Sequence, residues 1–426
     1  MTGASTPAAA LTSMQADRLA KDAFYWSTGR TPAPHNVHIA LDVHGPFDAA
    51  WFEDACGWAL GAHPALRHRF RLEDGAWIQE ETPSAEVPFA LTEPHPGEPL
   101  HEFLHRIACT RFELDRGLLF RAGLYPRGAE DQVLILAAEH LAADGWSLDL
   151  ALDTVTDAYA GIRREPVPGR SFLGYARAEH ERLDRYRPPA WVEALKGAAG
   201  LPFSEPPLAR PVPPHRSALV HSASLPLDPG MRAELAGLVS GCPAPWSAVM
   251  VAAAHRAVAE IDGRDEVVTI SPIGNRDAAD LRTVGWYANM IPLRSTAAER
   301  ASPDFLELVR DRWLEAIDPP SPPFWWVMER LFGHRSDRDP RMLWIWVDTI
   351  IPPDPPPPKR WPELTVAPRP APMSTHALSL GIEFTVGTEK GELTAIARRD
   401  RMPSGDLERI LRACASALAG LTTAAS

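Results

Sequence analysis

The sequence predicts a fold of the α/β (α+β) class, built in two halves. Short apolar runs typical of buried strands alternate along the chain with longer segments of helical periodicity. At 426 residues the chain is long enough to bury two hydrophobic cores. Its 44 prolines cluster between the periodic segments, so they mark boundaries instead of interrupting helices and strands.

Proline clusters predict where the two halves divide. Residues 188–215 contain PPAW, LPFSEPPLARP and VPPH, which can continue neither a helix nor a central strand. We therefore expect an N-terminal half at 1–187, an extended connector at 188–215 and a C-terminal half at 216–426. A second run, IPPDPPPPKRWP at 351–362, predicts a stiff polyproline segment.

Two helices and a strand are predicted in the first half. Asp48 is placed to cap a helix that runs through Ala59. One face of that helix would consist of Trp51, Ala55 and Trp58. The run VLILAA at 133–138 predicts a buried strand. Ser147 is placed to cap the next helix, whose apolar stripe would be formed by Leu148, Leu152, Val155 and Tyr159.

The second half shows the same alternation of patterns. Residues 246–261 predict a buried helix, and 267–273 and 342–347 predict strands. Large aromatic side chains cluster nearby at Phe324, Trp325, Trp326, Trp344 and Trp346. Such side chains usually fill a core, and we favour that interpretation over the lining of a substrate tunnel.

Composition and charge argue against several classes of function. A formal net charge of -12 provides no basic surface for nucleic acid. No run of about 18 uninterrupted apolar residues occurs, so no membrane span is expected. The four cysteines form no C-x-x-C pair, which argues against a disulfide framework or a thiolate zinc site. Because the N-terminus has no signal-peptide pattern, we expect a cytoplasmic protein.

The segment EHLAADGWS, residues 139–147, carries the candidate chemistry. A buried strand is expected to end there and a helix to begin, so polar side chains could reach a cleft. A neutral imidazole at His140 could accept a proton from an amine or hydroxyl that attacks an acyl group. Asp144 is suited to pair with an arginine and fix the loop, and Gly145 to adopt unusual backbone angles. Taken alone, a histidine and an aspartate at this spacing are more often structural than catalytic.

The string H-x-x-x-D-G-W-S resembles the HHxxxDG motif of the condensation domains of nonribosomal peptide synthesis. The resemblance extends over nearly the whole chain, in the family's order and spacing. Similar segments are LTSMQADRL at 11–19, AHPALRHRF at 62–70, WVEALKGAAGLPFSEPPLARP at 191–211, VGWYANMIPLR at 284–294 and RDRMPSGDLERILRACASAL at 399–418. On this breadth the chain is identified as a member of the family.

The resemblance implies a role for each matching residue. His140 matches the second, catalytic histidine, Asp144 the structural aspartate, and Arg276 the arginine that pairs with it. Gly145 would support the same loop. Positions that line a tunnel or support the catalytic residues are implied for Trp146, Asn289 and Arg294.

The resemblance also implies two lobes similar to chloramphenicol acetyltransferase, arranged as a V-shaped pseudo-dimer with a central tunnel. The expected enzyme is a free-standing acyltransferase with no cofactor of its own. It would take an acyl or aminoacyl group from phosphopantetheine on a peptidyl or acyl carrier protein, met in trans. The acceptor would be an amine or hydroxyl, carrier-bound or a free small molecule. Two alternatives stay open: acyl-CoA as the donor, or a catalytically silent module that recruits a tailoring enzyme or carrier.

Glu139 stands where the family has its first histidine. A carboxylate beside the base could raise the pKa of His140, or it could point away and support the loop. Because successive strand residues face opposite sides, we favour the supporting role. A metal site formed by His140 and Asp144 is disfavoured, since no third ligand is apparent. His63 and His68 are interpreted as structural residues, at a helix end and in its exposed continuation.

Overall fold

Helices and strands alternate along the chain, as the α/β (α+β) class predicts. The computed structural model of the protein describes residues 11–29, 31–164, 170–183, 185, 192, 195, 220–241, 245–317, 321–332, 345–350, 361–370, 380–386, 391–398 and 402–424. No helix within these ranges is both long and apolar enough to cross a bilayer.

The helices and strands of the described residues are numbered in chain order. The helices are α1 (Ser13–Ser27), α2 (Ala49–Ala62), α3 (Leu100–Cys109), α4 (Gly145–Tyr159), α5 (Phe172–Leu183), α6 (Pro229–Gly241), α7 (Trp246–Asp262), α8 (Ala297–Ala301), α9 (Phe305–Ile317), α10 (Phe324–Phe332) and α11 (Ser404–Ala424), with 3-10 turns at Pro64–Arg67 and Ser84–Glu86. The strands are β1 (Asn36–His44), β2 (His68–Glu73), β3 (Ala76–Glu81), β4 (Phe120–Pro126), β5 (Asp131–Glu139), β6 (Val220–Leu227), β7 (Glu266–Ile273), β8 (Asn289–Thr296), β9 (Ile345–Ile350), β10 (Thr365–Arg369), β11 (Leu380–Val386) and β12 (Gly391–Arg398).

The chain forms two compact units. The first consists of residues 1–186, 276–288 and 358–374, and the second of 187–275, 289–357 and 375–426. Two segments assigned from the sequence to the C-terminal half therefore belong to the first unit. Their positions depend on strand pairing and on hydrogen bonds to Asp144, which leave no local signal in the sequence. Apart from Val192 and Leu195, the predicted connector lies outside the described residues, as does 351–360 of the polyproline run.

The first unit is built around an antiparallel sheet with the strand order β10-β1-β5-β4. β5 runs through its interior and is buried from Gln132 to Glu139. Helix α3 packs against Val133, Ile135 and Ala137, and α4 contacts the same strand. This cover explains the continuous apolar run at 133–138 and confirms the predicted buried strand. β2 and β3 form a separate hairpin.

The cap of α2 agrees with the prediction, but its buried face does not. Asp48 Oδ1 accepts a hydrogen bond from Trp51 N at 2.9 Å, as expected of an N-cap. Trp51 is nevertheless 44% exposed, because its indole Nε1 reaches out to donate to the Tyr159 carbonyl. The residues of α2 that are buried are Phe52, Ala55, Cys56, Ala59 and Leu60.

Two histidines flank the 3-10 turn after α2. His63 ends α2, as predicted. His68, predicted to be exposed, is instead buried at the start of β2, where burial lowers its pKa to about 4. The alternation of β2 turns its side chain inward, toward Phe172.

The second unit contains a mixed sheet with the strand order β6-β12-β11-β9-β7-β8, in which β9 is parallel to both neighbours. Residues of α7, α9 and α11 contribute to its core. The predicted helix and two strands of this half correspond to α7, β7 and β9. Phe324 is fully buried and Trp326 packs against the core, which supports core packing over tunnel lining for these two aromatics. Trp344 lies outside the described residues.

Candidate active site

His140 follows the last residue of β5 and belongs to the first unit. Its backbone N–H donates to the carbonyl of His35 at 2.8 Å, which continues the pairing of β5 with β1. His140 is half-buried, and its ring lies 4.4 Å from the ring of His35 and 4.6 Å from that of Trp286, measured between centroids. Among the described residues no side chain bonds to its buried Nδ1, and the ring makes polar contacts with the backbone of His140 and Ala143. The ring is therefore fixed by stacking and by the backbone.

The surroundings of His140 favour a neutral imidazole. Burial lowers its pKa to about 4, and the charge of Arg18 acts in the same direction. The nearby carboxylate of Asp144 opposes this effect but does not reverse it. At neutral pH the side chain therefore carries a lone pair that can accept a proton.

Asp144 anchors the turn that carries His140. Its Oδ1 accepts a hydrogen bond from Ser147 N at 2.8 Å, so Asp144 is the N-cap of α4. The predicted cap, Ser147, lies one turn inside the helix, although the predicted apolar stripe of α4 is buried as expected. Asp144 Oδ2 accepts from the backbone N–H groups of Tyr287 and Ala288, both at 3.0 Å. One carboxylate thus ties the turn to α4 and to residues 276–288.

Arg276 pairs with Asp144, as the resemblance implied. Its Nη2 donates to Asp144 Oδ1 at 2.8 Å, and both side chains are only 4% exposed. The same nitrogen donates to Ser147 Oγ at 2.6 Å. Nη1 donates to the carbonyls of Asp280 and Thr283, and the guanidinium lies 4.1 Å from the ring centroid of Tyr287. A buried ion pair with this many hydrogen bonds is costly to break from one side.

Gly145 does not have the conformation expected from the sequence. It is the first residue of α4, and its φ does not lie in the positive region that favours glycine. A Cβ built at this position would meet no atom within 4 Å. The anchoring of the turn therefore comes from Asp144, and the protein fold itself does not demand glycine here.

Glu139 is buried beneath the turn, on the side of α1. Burial raises the pKa of its carboxyl to about 7, while the positive charges of Arg18 and Arg111 limit the rise. Its Oε1 has no hydrogen-bond partner among the described residues. The charges with the largest effect on the pKa of His140 are those of Asp144 and Arg18.

The remaining candidate residues belong to different units. Trp146 is 54% exposed on the first unit, and its Nε1 donates to the carbonyl of Leu281 at 3.0 Å. Asn289 is buried in the second unit, where it donates to the carbonyl of Pro322 and accepts from Phe324 N at the start of α10. Arg294, also in the second unit, pairs with Glu266. Roles for these three residues in a tunnel stay predictions.

The sequence profile described as "Condensation domain" matches residues 9–341. The chain belongs to the condensation-domain family. It is 32% identical over 319 residues to a probable nonribosomal peptide synthetase, CymA, of Salinispora arenicola (strain CNS-205), which is 71% of this chain and 4% of that protein. It is 27% identical over 308 residues to tyrocidine synthase 3 of Brevibacillus parabrevis, which is 71% of this chain and 5% of that protein. The chain thus spans less than a tenth of either relative.

Condensation domains and related proteins are also its structural neighbours. In a complex of the X-domain and OxyB from teicoplanin biosynthesis, one chain superposes with a TM-score of 0.76 at 20% sequence identity. The match covers 99% of this chain and 95% of that chain. At this identity the likeness shows the fold, and it confirms the mixed helix and sheet class.

Sequence reasoning missed two residues in contact with His140 and one that supports its loop. His35 precedes β1 in a proline-rich stretch with no recognisable pattern, and it meets His140 only through strand pairing. Trp286 lies inside the matched segment VGWYANMIPLR, so its position could have been singled out. Ser147 Oγ donates to the carbonyl of Gly285 at 2.7 Å and accepts from its N–H at 3.0 Å. The pattern around Ser147 predicts a helix cap and does not predict these contacts with Gly285.

Proposed function

We propose that this condensation-domain protein transfers an acyl or aminoacyl group from a carrier-protein thioester to an amine or hydroxyl acceptor. The thioester would be presented on phosphopantetheine by a peptidyl or acyl carrier protein. The observation that supports this most strongly is the arrangement around His140. The half-buried His140 carries a neutral imidazole on a turn that the buried Asp144–Arg276 pair anchors.

In this proposal His140 carries one proton from the acceptor to the leaving group, in two transfers. The acceptor nitrogen or oxygen attacks the thioester carbonyl, and its N–H or O–H becomes acidic as the new bond forms. His140 accepts that proton and then delivers it to the departing thiolate as the C–S bond breaks. Amide or ester and free thiol are the products, and the imidazole is returned neutral. General-base assistance of this kind contributes about 100- to 10,000-fold.

Asp144 and Arg276 act on geometry in this proposal. Their charges neutralise each other, and the carboxylate oxygens of Asp144 are occupied by donors from α4 and from 276–288. Neither group is therefore needed for proton transfer. Holding a base in register with two reactants can lower the barrier by about 7–11 kcal/mol when the alignment is good.

The test measures thiol release from acyl- and aminoacyl-loaded carrier proteins in the presence of amine and hydroxyl acceptors. We expect His140→Ala to lower kcat/KM by about 100-fold or more. His101→Ala, which removes a histidine that is 81% exposed on α3, is the matched control and should keep full activity. With a hydroxyl acceptor, which does not ionise in this range, kcat/KM of the wild-type protein should stay level from pH 8 to about 5, because His140 is protonated only near pH 4. Near-normal turnover by folded His140→Ala would contradict the assignment.

Two other functions give different results in the same assay. An acyl-CoA donor would be indicated by turnover with acyl-CoA and none with loaded carriers. Recruitment of another protein is favoured by the likeness to an X-domain whose structure was solved with OxyB. That function would be indicated if neither the wild-type protein nor the variant releases thiol from any donor.

A further inference from the structure

A second histidine lies directly against the candidate base. The rings of His35 and His140 are 4.4 Å apart with an angle of 35° between their planes. Trp286 touches both rings, at 4.6 Å from His140 and 5.5 Å from His35. The three rings form a contiguous cluster within the first unit. Two imidazoles therefore meet at this site, although the position before His140 is occupied by Glu139.

The hydrogen bonding of His35 defines its state. Arg18 Nε donates to His35 Nδ1 at 3.1 Å. Because an arginine side chain has no acceptor atom, Nδ1 must be the unprotonated nitrogen of the ring. His35 is therefore the neutral tautomer with its proton on Nε2. Arg18 is itself held in place, since it donates to the Ala33 carbonyl and pairs with Asp22.

We propose that His35 is a positioning residue for His140, one that covers a face of the catalytic ring and fixes its plane while Arg18 fixes the plane of His35. The inference rests on the proposed function, in which His140 is the base. It extends that function by adding the pair Arg18 and His35 to the groups that orient the base.

The contacts of His140 explain why such a partner is needed. Many catalytic histidines are oriented by a hydrogen bond to the second ring nitrogen. In this chain no side chain among the described residues bonds to Nδ1 of His140, and the carboxylate of Asp144 is fully engaged elsewhere. Orientation then comes from the backbone, through the bond to the His35 carbonyl and the polar contacts of the ring with the backbone of His140 and Ala143, and from the rings of His35 and Trp286.

Covering one face of His140 has an electrostatic consequence that a purely structural role would not have. The pKa of His140 is lowered chiefly by burial, so removing the covering ring should let it rise toward its ordinary value of 6.5. The charged and titratable groups near the pair are Arg18 and Asp22 on α1, Arg111 after α3, and Glu139 and Asp144 in the segment of His140. All of them are retained when His35 is substituted. A variant that loses the hydrogen bond from Arg18 but keeps a ring controls for any movement of Arg18.

Three variants separate the two properties of His35. His35→Ala removes both the ring and the acceptor, His35→Phe keeps a ring without the acceptor, and His35→Asn keeps an acceptor without the ring. The matched control is His44→Ala, at the exposed last residue of β1, the strand that His35 precedes. The full-length protein is labelled with 13C at histidine Cε1, and the His140 signal, assigned with His140→Gln, is followed from pH 8 to 5. Turnover is measured in parallel, and circular dichroism checks folding.

We expect no titration of His140 above pH 5 in the wild-type protein, in His44→Ala or in His35→Phe. In His35→Ala and His35→Asn the pKa should rise toward its ordinary value of 6.5, so that His140 titrates above pH 5, with kcat/KM about tenfold lower and KM little changed. The proposal is overturned if His140 in His35→Ala still does not titrate above pH 5, or if His35→Asn behaves as wild type while His35→Phe does not. Since the titration needs no substrate, it decides the role of His35 even if thiol release is absent and the proposed function fails.

Discussion

Replacing Glu139 with glutamine tests whether this buried carboxyl supports the turn or acts on the base. Glutamine keeps the shape of the side chain and an oxygen that can accept the hydrogen bond from Leu141. It removes only the ability to ionise. The effect of the change should therefore depend on pH, and its sign follows from the raised pKa of Glu139.

The magnitude follows from the displacement of that pKa from its ordinary value of 4.5 to about 7 in the folded protein. A carboxyl with a raised pKa favours the folded state fully below pH 4.5, and this contribution is lost as pH rises through 7. The full loss is about 3 kcal/mol. Because glutamine does not ionise, the variant keeps this free energy of unfolding as pH rises. Relative to the wild type, its free energy of unfolding should therefore increase by about 2–3 kcal/mol between pH 5 and 8.5.

Urea unfolding of both proteins at several pH values measures this difference directly. Glu102→Gln on α3, where the carboxylate is 62% exposed, is the control and should show no such trend. A difference in the free energy of unfolding between the wild type and Glu139→Gln that stays constant from pH 5 to 8.5 would refute the reasoning. Turnover of Glu139→Gln should stay within about tenfold, with little change in the pH profile, because the charges with the largest effect on the pKa of His140 are those of Asp144 and Arg18. An acidic shift of that profile would show that Glu139 acts on the base.

Two further predictions concern the anchor of the turn. Asp144→Ala and Arg276→Ala should each destabilise the protein by about 3–5 kcal/mol, because each leaves a buried charge unpaired. The double variant should cost clearly less than the two changes combined, and full additivity in urea unfolding would disprove the pairing. Gly145→Ala should retain its melting temperature and activity within about threefold, because the added Cβ meets no protein atom. A loss of activity with an unchanged melting temperature would instead show that a substrate approaches this position.

Local patterns predicted the helices and strands well, and a recognised motif predicted the central pair of the site. The cap at Asp48, the buried strand at 133–138 and the pairing of Asp144 with Arg276 all depend on residue type at fixed spacing. The contact between His35 and His140 depends on the register of β1 with β5, which no local property of either segment encodes. The burial of His68 was missed because the segment was interpreted as an exposed continuation of the helix and not as the start of β2.

The pairing of β1 with β10 has a consequence for the order of events during synthesis. When residue 186 has been added, the first unit still lacks the strand that ends at Arg369, and Asp144 still lacks its arginine. About 180 residues remain to be translated, which takes roughly 10–40 s at about 5–20 residues per second. Until then β1 presents an unpaired edge that can pair with other chains. The sheet of the first unit can therefore be completed only after residue 369 has been translated. A nascent chain that stalls before that point is exposed to aggregation.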